Sequence, residues 1–262
     1  MKIRRGLRGV DSEITLYPFL ADHDWALATQ FEHITIGDTQ YPFRDAEATD
    51  PVTDNGDPTG HVVGLQGAPS VIQEVSADRP VWGADGVEFS GAEDFLAGGY
   101  ASLGEDFIGS DSEGTMIFLL SPGVIGGDTV RFFGARDSGT TRLFDFIYDF
   151  PDAGGVAVQL RSASGGIRQL EAESVFASTG DRVAVAFRNN LGALTLFGGG
   201  DVLATDSQKN AAAPIDRIPR LGARTDANGS AAAHYTGDII SAWIVDEALS
   251  DAQIASISEA LL

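Results

Sequence analysis

A chain of 262 residues, 43% of them apolar, is long enough for a substantial core, and with no cysteine it has neither disulfides nor cysteine-bound metal. A formal charge of −21 opposes the phosphates of nucleic acid, and no stretch reaches the length of about 18 apolar residues that a membrane-crossing helix needs. Glycine is the positive signal: 32 residues without a triplet period suit a chain of many tight turns, which points to an all-β fold.

The first eight residues hold four of the 17 basic side chains, Lys2, Arg4, Arg5 and Arg8, and make a cationic start to an anionic body. Asp11 and Glu13 interrupt the stretch that follows, so no apolar leader core is expected there. Asp24-Trp25-Ala26-Leu27-Ala28 reads as a short helical turn. Residues 31–36 alternate like a strand, with Gly37-Asp38 as its turn. From Arg44 to Gly60 the composition turns to Asp, Pro, Thr and Gly, a long polar connection. The expected organisation is an N-terminal docking segment over 1–43, lead-in strands and loops over 44–84, and one sandwich over 85–262.

After residue 60, short apolar runs recur between Gly or Asp-Gly punctuation. Strands are expected over 61–65, 70–74, 87–89, 95–96, 115–120, 130–135 and 143–150. They continue over 156–160, 183–188, 193–197, 219–223 and 239–245. Such spacing predicts a sandwich or jelly roll. The chain closes with a short helix in which Ser250 caps and Ile254, Ile257 and Leu261 share one face.

Two stretches carry a resemblance. Arg220-Leu221-Gly222-Ala223-Arg224, a polar loop, and then the run from Tyr235-Thr236-Gly237-Asp238 through Trp243 to Ala248-Leu249-Ser250-Asp251 and Ile254 resemble the closing segment of concanavalin A-like, laminin G-like jelly rolls. With Gly86-Val87-Glu88-Phe89-Ser90-Gly91 as the opening, the likeness spans about residues 85–260. It implies a concanavalin A-like β-sandwich, with calcium held by loop carboxylates as a candidate cofactor. The second stretch runs Phe43-Arg44-Asp45, Thr49-Asp50-Pro51-Val52-Thr53, Gly56-Asp57-Pro58-Thr59-Gly60 and Ala77-Asp78-Arg79-Pro80-Val81-Trp82. It resembles the lead-in to such jelly rolls in surface proteins of tailed phages and phage-like particles: tail fibre, baseplate or head spike. A longer Ser-Gly-x-Gly-Asn-His element often follows there; here only Gln66-Gly67 stands in its place.

That resemblance implies a virion surface protein that binds host surface polysaccharide through its lectin-like sandwich. It would be made in the host cytoplasm and released by lysis, would contact other virion proteins, and would form a homo-oligomer about a symmetric fibre or vertex. Nucleic acid and membrane insertion are not expected. The alternatives are a purely structural decoration or scaffold subunit and, less favoured, a divergent glycoside hydrolase.

Hydrolases on this fold place Glu-x-Asp-x-Glu or Glu-x-Asp-x-x-Glu on one strand face, which brings nucleophile and acid together. None of the 12 glutamates makes that spacing; Glu171 and Glu173 flank Ala172, and the acidic strand from Asp145 to Asp149 has no Glu. There is no Gly-x-Ser-x-Gly, and His23, His33, His61 and His234 lack metal spacing. No catalytic residue is assigned, and a non-enzymatic protein is expected. Acidic loops that could serve calcium are Asp54-Asn55-Gly56-Asp57, Glu105-Asp106, Asp111 to Glu113 and Asp226 to Asn228, none with an EF-hand spacing. Sugar binding needs flat apolar rings beside hydroxyl acceptors, and the candidates are Trp82, Tyr100, Asp226, Asn228 and Tyr235. Trp243 and the stripe Phe144, Phe146, Tyr148 and Phe150 read as core.

Overall fold

Alternating residues sort the strands into two antiparallel sheets that enclose one core. A computed structural model describes residues 19, 22–23, 25–30, 34–36, 39–65, 68, 70–83, 86–98, 112–136, 138, 143–161, 166–207 and 218–262. One sheet has eight strands in the order β16 (Asp201–Asp206), β15 (Ala193–Gly198), β14 (Val183–Asn190), β9 (Glu113–Pro122), β20 (Thr236–Val245), β7 (Val87–Ser90) and β6 (Val81–Trp82), with β1 (Trp25–Gln30) also on β20. The first half of β20 pairs with β7 and the second half with β1, so the two short strands flank it end to end.

The other sheet has ten strands. Its path is β13 (Ile167–Ala172), β12 (Val156–Arg161), β11 (Leu143–Tyr148), β10 (Val130–Arg136), β17 (Arg220–Leu221), β8 (Leu96–Gly98), β5 (Val71–Ile72) and β4 (His61–Val62). A small hairpin of β18 (Arg224–Thr225) and β19 (Ala231–Ala232) joins beside β10, and β2 (Ile34–Ile36) pairs with β3 (Thr39–Tyr41) separately. The all-β sandwich with one short closing helix, α1 (Asp251–Leu261), is as the sequence predicts.

The inner faces meet on aromatic rings. Phe118 of β9 lies 5.5 Å from Phe132 and 5.1 Å from both Phe133 and Phe146, largely edge-on or tilted as ring quadrupoles prefer. Strict alternation would turn one of two consecutive phenylalanines outward. A register shift between Arg131 and Phe133 lets both Phe132 and Phe133 face inward, and neither is exposed. Phe144, Phe146 and Tyr148 of β11 are buried, and Trp243 is wholly so. Phe150 lies beyond the strand, because Asp149 turns to φ 57° and ends it.

The sheets differ on their outer faces. In the eight-stranded sheet, β9 and β20 are buried on both sides. Trp25, Ile117, Ala186, Phe197 and Trp243 form a second apolar layer under Leu249, Ile254 and Ile257. The closing helix covers this face, and its start is fixed by a capping box between Ser250 and Gln253. The ten-stranded sheet has Arg131, Asp145, Gln159, Gln169 and Arg220 on the face opposite its core residues.

One local expectation changes, and two features add to the sequence reading. Residues 24–28 were expected as a helical turn, but Trp25–Gln30 is β1: pairing with Ser241–Val245 outweighs a weak local helical preference. β13 and β16 are not among the expected strands, since each is an edge strand, half polar and largely unburied, with little inward apolar signal. The polar connection 44–60 is held by its own hydrogen bonds. The Asp57 carboxylate accepts from the Arg44 guanidinium at 2.5 Å and from the backbone N–H of Thr53 and Asp54 at 3.0 and 2.9 Å. Those bonds, the Arg44 one foremost, hold its carboxyl well below the usual range.

Candidate functional site

The face left uncovered by the helix carries the polar chemistry. Cross-strand partners form one row across it: His61, Ile72, Ala97, Arg220, Gly134, Asp145, Gln159 and Gln169. At its centre Asp145 is fully buried, with Arg224 Nη1 at 3.2 Å and Arg131 Nε at 3.5 Å from Oδ2. Burial pushes this carboxyl up, and the two arginines pull it back. The opposite residue is Gly134, and a Cβ there would lie 2.5 Å from Asp145 Oδ1 and 2.7 Å from the Phe144 carbonyl. Only glycine lets the carboxylate lie against the strand. Beyond it, Gln159 donates to Gln169, which donates to Glu171, both at 2.7 Å.

On the other side of Gly134 the row opens into a groove with two lobes. One lobe, of about 480 Å³, is lined by Val75, Asp78, Glu93, Phe95, Arg220 and His234 among others. The second, of about 410 Å³, is lined by Ile72, Gln73, Glu74, Val75, Phe95, Ala97 and Arg220. Val75, Phe95 and Arg220 belong to both. The Arg220 guanidinium stacks on the Phe95 ring at 4.0 Å, and its Nη2 donates to the Gly229 carbonyl at 3.0 Å. Partial burial lowers its proton affinity, against the field of Asp78. Val75 is more than half exposed at the rim. Apolar carbons of Ile72, Val75, Phe95 and Ala97 thus lie beside carboxylates, a guanidinium and an imidazole. Such a surface can meet a ligand that has both C–H faces and hydroxyls.

The sequence candidates scatter. Tyr235 is fully buried, its ring 6.1 Å from Phe132 and 5.7 Å from Tyr148, so it offers no face to a ligand. Trp82 is also a core residue, 8% exposed, placed inward by alternation along β6 and tied through its backbone to Gly56 and Asp57. Tyr100 lies outside the described residues. Asp226 and Asn228 sit together in the β18–β19 turn: Arg224 holds Asp226 at 2.7 Å, and Asn228 Oδ1 accepts from the Ser230 N–H at 3.0 Å. That turn borders the groove through Ser230 and Ala231, while the Asp226 and Asn228 side chains are engaged within the turn.

Arg220, Phe95, Asp78 and Val75, which line the groove, are not among the sequence candidates. Only the outward position of Phe95 beside inward Leu96 was available as a signal. Of the acidic loops, Asp57 and Asp226 already accept from arginines, while Glu105, Asp106 and Asp111 lie outside the described residues. Among the described residues no group of three or more His, Asp or Glu is placed to hold a metal ion.

The chain matches no protein-family model and no curated protein. Solved structures similar to it include the IT-sialidase CBM40 of Ruminococcus gnavus bound to α2,6-sialyllactose, at 19% identity and TM-score 0.48, covering 56% of this chain and 82% of that one. Domain 4 of AbnA, a GH43 extracellular arabinanase of Geobacillus stearothermophilus, in complex with arabinotriose, is similar at 15% identity and TM-score 0.48, covering 88% of this chain and 99% of that one. At such identities and scores, neither likeness bears on what this chain binds.

Proposed function

We propose that the protein is a non-catalytic glycan-binding sandwich on the surface of a phage or phage-like particle, holding host polysaccharide in the groove over Phe95 and Arg220. The observation that carries the binding role is the groove itself. It lies on the sheet face that α1 does not cover, with apolar carbons and hydrogen-bonding groups side by side. The particle role rests on the lead-in motif between Phe43 and Trp82.

An array of bacterial surface polysaccharides, probed with the wild-type chain and with Arg220→Ala, tests the binding role. Binding that falls about tenfold or more in the variant, a loss of about 1.4 kcal/mol, supports it. Silence across the array would favour a structural decoration subunit instead. Immunogold labelling of purified particles tests the placement, and unlabelled particles would end it. Light scattering on the purified chain reads the expected homo-oligomer.

A further inference from the structure

We propose that the groove takes an internal stretch of an uncharged polysaccharide, at least two sugar residues long, laid across the Arg220–Phe95 pair. This inference rests on the glycan-binding reading and specifies its ligand. Length comes from shape: two lobes, each of several hundred Å³, share Val75, Phe95 and Arg220 as a common divide. A single sugar would occupy one lobe and leave the other wet. A chain that crosses the divide contacts both.

Charge comes from the count of ionisable groups on the walls. Glu74, Asp78 and Glu93 face one permanent cation, Arg220, together with His234. The neighbouring Arg79 does not line either lobe, and its Nε and Nη2 donate to the carbonyls of Gln73 and Glu74 at 3.0 and 3.4 Å. Arg220 is matched by the field of Asp78 and by the Gly229 carbonyl. Its Nη1 has no acceptor, which by itself would suit an anion, but that atom is shut away from solvent. An incoming carboxylate therefore meets the wall carboxylates of Glu74 and Glu93 with no second permanent cation on the walls to offset them. A net charge of −21 adds repulsion within a Debye length of about 8 Å at physiological salt. Hydroxyls meet no such barrier, since carboxylates accept from them.

The test is titration calorimetry of the full chain, first with soluble fragments of whichever array polysaccharide binds. Affinity is expected to rise about tenfold or more from the monosaccharide to the disaccharide or trisaccharide. A monosaccharide as tight as its oligomers would overturn the two-lobe claim. The same array then compares neutral polymers (dextran, mannan, galactan) with acidic ones (alginate, polygalacturonate, polysialic acid). Neutral polymers are expected to bind, with little change between 50 and about 300 mM salt. Preference for an acidic polymer, strengthened at low salt, would overturn the charge claim while leaving glycan binding intact. No binding to any polymer would remove the glycan reading and this inference together.

Discussion

Arg168 of β13 donates through Nε to the Asp206 carboxylate of β16 at 2.7 Å, and those strands are edges of different sheets. The same guanidinium reaches the Asp206 carbonyl at 3.1 Å and the Gly192 carbonyl at 3.0 Å, so one planar fork clasps the two layers where both edges are open.

Arg168→Ala is expected to destabilise the protein by about 2 kcal/mol, because a largely buried charged hydrogen-bond set is lost. Arg168→Lys is expected to recover less than half of that, since a single ammonium cannot reproduce the fork. Denaturant melts of the three proteins decide it. A lysine variant as stable as wild type would remove the geometric argument.

Asp57 is held ionised below its usual range by Arg44 and two backbone N–H groups. A carboxyl with a depressed folded pKa stabilises above its unfolded pKa of about 3.9 and loses that contribution as pH falls toward the folded value. Asp57→Asn should therefore melt lower than wild type at pH 7, with a constant gap down to about pH 5 that narrows below about pH 4. Thermal melts across that range read the gap. One that did not close in acid would show that charge on Asp57 is irrelevant to the 53–57 loop.

Gly134→Ala would press a methyl group into Asp145 Oδ1 and the Phe144 carbonyl. Neither can retreat, since one is buried beneath arginines and the other belongs to the strand backbone. The expected cost is about 1–3 kcal/mol, with Arg131 and Arg224 displaced. A variant of wild-type stability would mean that β10 and β11 can separate locally without penalty.

The Tyr235 hydroxyl is buried without a hydrogen-bond partner. Tyr235→Phe should leave stability unchanged or raise it by about 1 kcal/mol, and should leave glycan binding untouched. Arg220→Ala should weaken binding by about tenfold or more and also lower the melting temperature modestly, since its stacking on Phe95 and its bond to Gly229 are lost. If Tyr235→Phe abolished binding, the groove assignment would be misplaced.

Patterns with a short period were legible in the sequence. The stripe Phe144, Phe146 and Tyr148 and the strand around Trp243 read correctly as core, and Ser250 read correctly as a cap. Pairing between distant residues was not legible. Nothing near Trp25 announces that its strand partner is Val245, and nothing near Arg220 announces Phe95 beneath it. Tyr235 failed for a related reason: a tyrosine after a polar loop looks the same whether its ring faces a ligand or the space between Phe132 and Tyr148. Burial there is decided by the opposite sheet, not by the neighbouring residues.

The placement of β1 also bears on how the chain is made. Its five registered partners lie between Ser241 and Val245, on a strand far later in the chain. On the ribosome, Trp25 and Leu27 must therefore stay unpaired until Ile244 and Val245 have emerged, and closing so long a loop slows folding. The nascent segment around Trp25 is thus exposed to misassociation until then, and fast overproduction should send part of the protein into inclusions.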